Sequence, residues 1–121
     1  MFNIFKTTKR IRPTLVDQAF FDETIINQKK PAIITFAAAW CGACKMQKPL
    51  INELAHHHRE KDIVIGLIDS DEQRSLSQLF NVTSIPTTIF FKDGNAIGKK
   101  VGLMTRRELE NVVAEITKLS E

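Results

Sequence analysis

Cysteine is scarce in this sequence. Cys41 and Cys44 are all that the chain contains. Two cysteines exclude a disulfide-stapled scaffold, which needs several bridges. A bridge between these two closes a very small loop and constrains the unfolded chain little, so the pair makes a poor staple. Long apolar runs are also missing, and no segment is suited to span a bilayer. The N-terminal stretch MFNIFKTTKRIRPTL lacks the apolar core and small-residue cleavage site of a secretory signal, so a cytoplasmic location is expected. Internal repeats, low-complexity tracts and long linkers are absent. So is the G-x-G-x-x-G fingerprint of a flavin or nicotinamide site, and no bound cofactor is expected.

What is present suits one domain. The chain has 121 residues, 43% hydrophobic and 26% charged. That is enough for a single core under an ordinary polar surface. The net charge of +3 is unevenly spread. Residues 1–12 hold Lys6, Lys9, Arg10 and Arg12 and no acid, leaving 13 basic and 14 acidic residues elsewhere. The sequence therefore divides into a basic leader, 1–12, and a nearly neutral domain, 13–121. A basic leader can touch nucleic acid or anionic lipid, but a solvated leader is the simpler reading. No nucleic-acid partner is expected.

Periodicity supplies the elements. VDQAFFDETIINQ (16–28) patterns as a helix that Lys29-Lys30-Pro31 stops. AIITFAAAW (32–40) reads as a strand buried on both faces. Residues 43–60 turn helical, with Pro49 expected to kink the helix. IVIGLID (63–69) reads as a second buried strand, and 72–82 as a short helix. TTIFFKDGNAIGKKVG (87–102) reads as a hairpin turning at Asp93-Gly94. Thr105 and Glu108 have capping-box spacing, followed by an apolar stripe of Leu109, Val112, Val113, Ile116 and Leu119. Alternating elements followed by a hairpin predict an α/β fold, a central mixed β-sheet flanked by helices on both faces.

The chemistry concentrates in WCGACK, residues 40–45. Cys41 falls between a buried strand and the start of a helix. Unpaired N–H groups and the partial positive charge of a helix N-terminus favour thiolate over thiol. Lys45 adds positive charge. Cys41 is the expected exposed nucleophile, and Cys44, one turn on, a shielded thiol able to resolve a mixed disulfide. A zinc site needs four ligands, and one CxxC supplies two. His56, His57 and His58 are the other candidates. Three consecutive helical residues point in three directions, so they cannot all join one site. Near a helix C-terminus they complement the dipole. No metal is assigned, and a zinc or iron–sulfur site shared across a dimer is the residual metal reading.

The sequence resembles the thioredoxin family over about residues 14–119. WCGACK is similar to the family's active-site WCGPCK, and Pro49 falls at the kink of the family's helix. Leu67-Ile68-Asp69-Ser70-Asp71 corresponds to the end of its next strand. Thr83-Ser84-Ile85-Pro86-Thr87 resembles its cis-proline loop. Phe91-Lys92-Asp93-Gly94 and Val101-Gly102 resemble its hairpin and following glycine. The resemblance implies a thioredoxin-like fold and a thiol–disulfide oxidoreductase that reduces protein disulfides. It makes Cys41 the nucleophile, Cys44 the resolving thiol, and Pro86 a cis-proline beside them. Trp40, Gly42, Ala43, Ile85, Pro86 and Gly102 would form the substrate-docking surface. Disulfide-containing proteins would be substrates, a partner such as thioredoxin reductase would supply electrons, and a monomer is expected. The alternatives are a thioredoxin-fold protein-binding module and an oxidant or isomerase. Three departures stand out. Ala43 replaces the family's proline between the cysteines, Thr35 replaces a buried aspartate, and Leu67 replaces a lysine near it.

Overall fold

The β-branched run Ala32–Ala37 forms the central strand of a five-stranded sheet, every residue but the last fully buried. The computed structural model describes residues 10–118. Along the chain the strands are β1 (Thr14–Leu15), β2 (Ala32–Ala37), β3 (Val64–Asp69), β4 (Thr87–Lys92) and β5 (Asn95–Val101), in spatial order β1-β3-β2-β4-β5. β1 and β2 flank β3 in parallel, while β2, β4 and β5 pair antiparallel. The sheet is therefore mixed, as the sequence predicts. The helices are α1 (Gln18–Phe20, continuing as a π-helix over Phe21–Asn27), α2 (Gly42–His57), α3 (Arg74–Leu79) and α4 (Arg106–Thr117).

Side-chain alternation along β2 divides the core in two. Ile34 and Phe36 pack with Phe21, Ile25, Leu76 and Phe91 on the α1 and α3 side. Ile33 packs with Ile51, Leu54, Leu109, Val113 and Ile116 under α2 and α4. Phe21, Phe80 and Phe91 meet edge to face at 5.4–5.5 Å, an arrangement favoured by the ring quadrupoles.

Several boundaries differ from the sequence expectation. β2 ends at Ala37, not Trp40, because a turn closed by the Cys41 N–H on the Ala38 carbonyl (3.2 Å) joins it to α2. α2 stops at His57, and Pro49 sits inside it without ending it. The first helix is capped by the Asp17 carboxylate, which accepts from the Phe20 N–H (2.9 Å). It then widens, with the Gln28 N–H reaching the Glu23 carbonyl five residues back (3.0 Å). β1 has no counterpart in the sequence reading. Two residues are too few to show a period, and the strand exists through pairing with Gly66 and Leu67. The hairpin turns at Asp93 and Gly94, both with positive φ (54° and 84°), as a type I′ turn requires. Both halves of the Thr105/Glu108 capping box form, at 3.1 and 2.9 Å. Leu119 of the apolar stripe, and Lys6 and Lys9 of the leader, lie outside the described residues.

Candidate active site

The turn after β2 places Cys41 at the N-cap of α2 with extended backbone (φ −90°, ψ 116°). Its Sγ accepts the Cys44 N–H at 3.2 Å, one of the donors left free in the first helical turn. The two cysteines are joined as a disulfide, with Cα atoms 5.2 Å apart. The expected contrast between an exposed Cys41 and a shielded Cys44 is not found. Relative exposures are 6% and 5%. The cause is geometric. In the disulfide Cys41 turns back over the helix end, and the Ile85 carbonyl oxygen lies 3.7 Å from its Sγ.

The loop carrying that carbonyl is built around Pro86. The Ile85–Pro86 peptide is cis. The Thr87 hydroxyl donates to the Ser84 carbonyl at 2.6 Å, and the Gly102 N–H donates to the Pro86 carbonyl at 2.8 Å. Gly102 sits at φ +91°, a conformation that glycine adopts at little cost. The next turn is clamped by Gln47. Its buried side-chain amide donates to the Met104 carbonyl (3.1 Å) and accepts the Met104 N–H (2.6 Å). Gln47 thus couples α2 to the segment after Gly102. No sequence signal points to this role, because a glutamine on a helix ordinarily faces water.

Trp40 is not a core aromatic. It is 69% exposed, and its indole N–H donates to the Asp71 carboxylate at 2.8 Å. Asp71 is itself placed by a turn in which Asp69 Oδ1 accepts the N–H groups of Asp71 and Glu72 (2.9 and 3.2 Å). Gly42 and Ala43 are exposed beside the disulfide, and Ile85 is half-buried. A Cβ added at Gly42 or Gly102 would meet nothing within 4 Å, so both positions face open space. The structure thus sets Gly42, Ala43 and the Ile85 carbonyl beside the sulfur pair, with Gly102 hydrogen-bonded to the buried Pro86 and Trp40 turned to Asp71.

The thioredoxin family profile matches residues 12–115. Among curated proteins, the chain is 41% identical over 98 residues to a thioredoxin of Staphylococcus haemolyticus, covering 81% of this chain and 91% of that one. It is 36% identical over 105 residues to a thioredoxin of Mycobacterium bovis, covering 84% and 90%. Among solved structures, a single-site mutant of a thioredoxin from Halobacterium salinarum superposes with a TM-score of 0.79 at 28% identity, over 95% of this chain and 99% of that one. The thioredoxin of Malassezia sympodialis gives 0.80 at 25% identity, over 93% and 96%. This chain belongs to the thioredoxin family. It is a thiol–disulfide oxidoreductase with a CxxC redox-active disulfide.

Two of the three departures from the family pattern, Thr35 and Leu67, meet behind the disulfide. A cavity of about 360 Å³ is lined by Thr35, Leu67, Leu15, Asp69, Gln47 and Cys44, among others. Thr35 is buried, and its hydroxyl pairs with that of Thr88 at 2.8 Å. The two threonines face each other across β2 and β4, and Leu67 lies beside Thr35 on β3. The ionisable pair that the family resemblance leads one to expect at these positions is replaced by a neutral hydroxyl pair and an alkyl group. The substitutions are physically consistent, since a lone buried charge would be left uncompensated.

Proposed function

We propose that this protein reduces disulfides in other proteins, with Cys41 as nucleophile and Cys44 as resolving thiol. The observation that carries the assignment is the Cys44 N–H aimed at Cys41 Sγ at the mouth of α2. In the reduced protein that donor and the helix dipole would stabilise a Cys41 thiolate. The thiolate attacks one sulfur of the substrate disulfide. A new S–S bond forms, the substrate S–S bond breaks, and the leaving thiolate takes a proton from water. Cys44, as thiolate, then attacks the Cys41 sulfur of the mixed disulfide. The substrate leaves with both sulfurs reduced, and the protein ends as the Cys41–Cys44 disulfide, having given up two electrons.

Trp40, Gly42, Ala43, Ile85, Pro86 and Gly102 form the docking surface in this proposal. The half-buried Ile85 and its neighbours supply backbone groups for an extended substrate segment, in the manner of an added strand. A partner reductase such as thioredoxin reductase returns the electrons in this proposal, and the protein acts as a cytoplasmic monomer. No helix among the described residues is long and apolar enough to cross a membrane.

The test is covalent trapping. With an oxidised protein substrate, Cys44→Ser is expected to accumulate a mixed disulfide through Cys41, while Cys41→Ser forms none and loses turnover. Adducts forming equally well through Cys44 in the Cys41→Ser protein would overturn the assignment. Partner binding that survives Cys41→Ser, with no turnover in the unaltered protein, would point to a binding module instead.

A further inference from the structure

Three consecutive histidines close α2, and the structure separates them. His56 turns away, its Nδ1 accepting the Ile11 N–H at 3.1 Å. His57 and His58 do not diverge as helical neighbours should. The chain leaves the helix at His58, whose backbone (φ −102°, ψ 22°) is no longer helical. The last two rings nevertheless lie together, with centroids 4.7 Å apart. Both then face Glu110 on α4. His57 Nδ1 lies 3.3 Å from Glu110 Oε2, and His58 Nε2 lies 2.6 Å from Oε1.

We propose that His57, His58 and Glu110 form a site for a divalent transition metal of the zinc type. Each residue offers one ligand atom, and these atoms all lie within 4.8 Å of one another. Tetrahedral zinc with bonds of about 2.0–2.1 Å to nitrogen and oxygen holds its ligands about 3.3 Å apart. The His57–Glu110 pair already has that spacing, the His58–Glu110 pair must open by about 0.7 Å, and no pair need close by more than about 1.5 Å. Imidazole and carboxylate suit zinc, nickel and copper better than calcium or magnesium. The place also suits a cation, because the last carbonyls of α2 carry partial negative charge. His58 is buried and Glu110 half-buried, so two of the three ligands are held by packing. His57 is exposed, so water can reach the metal to complete a fourfold set, and the bound ion would exchange.

A metal here joins the end of α2 to the middle of α4. It acts on the scaffold rather than on the sulfur chemistry, since a 16-residue α2 puts the site about 24 Å along the helix from Cys41.

The experiment is calorimetric titration of the oxidised full-length protein with zinc chloride, with melting followed in parallel. Oxidation matters, because the disulfide removes both cysteines as ligands. The expected result is one equivalent of zinc bound and a melting temperature that rises with zinc concentration. His57→Ala and Glu110→Gln are each expected to weaken binding about tenfold or more, the scale on which even outer-shell partners act. His57 is largely exposed, so its variant keeps the test open if changes at buried His58 impair folding. His56→Ala is expected to leave affinity unchanged. Absence of saturable binding, or binding that ignores His57→Ala and Glu110→Gln, or that falls equally with His56→Ala, would overturn the proposal.

Discussion

At the scale of single residues, the site depends on groups whose partners are distant in sequence. Thr35 and Thr88 are 53 positions apart, yet their hydroxyls satisfy one another inside the sheet. Thr35→Val leaves the Thr88 hydroxyl buried without that partner, and urea denaturation is expected to show a loss of about 1–3 kcal/mol. The double variant Thr35→Val/Thr88→Val should recover most of that loss, because two apolar groups of similar shape leave nothing unpaired. The same pair bears on rate. A threonine hydroxyl does not accept a proton near neutral pH, so Cys44 lacks an internal base at this position. Exchange with a small disulfide at pH 7 is expected to be slower than for a thioredoxin with the buried aspartate, and equal rates would remove that role from position 35. The two cysteines, Trp40 and Pro86 are legible in the sequence because they sit in contiguous motifs. Thr88, Asp71 and Gln47 are not, because each owes its role to strand register or to a turn that no local pattern announces.

Elements are legible in proportion to their length and to the strength of their end signals. The cap announces α4, and Asp93-Gly94 announces the hairpin. The two-residue β1 and the π-helical turn leave no period to read. The cap also predicts a pH dependence. The Thr105 N–H, followed by Lys100, holds the Glu108 carboxyl below its ordinary value of 4.5. A depressed folded value means the contribution is present above pH 4.5 and is lost as pH falls through the folded value. The melting-temperature gap between the unaltered protein and Glu108→Gln is therefore expected to be widest at neutral pH and to close in acid. A gap that is constant across this range would contradict the assignment. β1 depends on a missing side chain. A Cβ at Gly66 would stand 2.7 Å from Val16 Cγ2 and 3.2 Å from the Thr14 carbonyl. Gly66→Ala is expected to cost roughly 1–3 kcal/mol through overpacking. Hydrogen exchange should quicken at the Val16 N–H, which donates to the Leu67 carbonyl at 2.9 Å.

At the scale of the whole molecule, two packed faces fix one sulfur pair. β2 delivers the turn that caps α2, β4 begins at the Pro86 loop, and Gln47 ties α2 to the segment after Gly102. The mixed sheet and its helical layers follow from alternating apolar runs, because burial on both faces leaves a strong signal in sequence. The placement of His57 and His58 does not follow, because helix periodicity does not show that both rings reach one carboxylate on α4. The central claim is that this scaffold holds Cys41 and Cys44 as a reducing couple. Equilibration of the pair in defined thiol buffers at pH 7 tests it most directly. The account predicts a reduction potential of about −270 mV, as for thioredoxin, and a value of about −180 mV or higher would contradict it and assign the protein to oxidation or isomerisation.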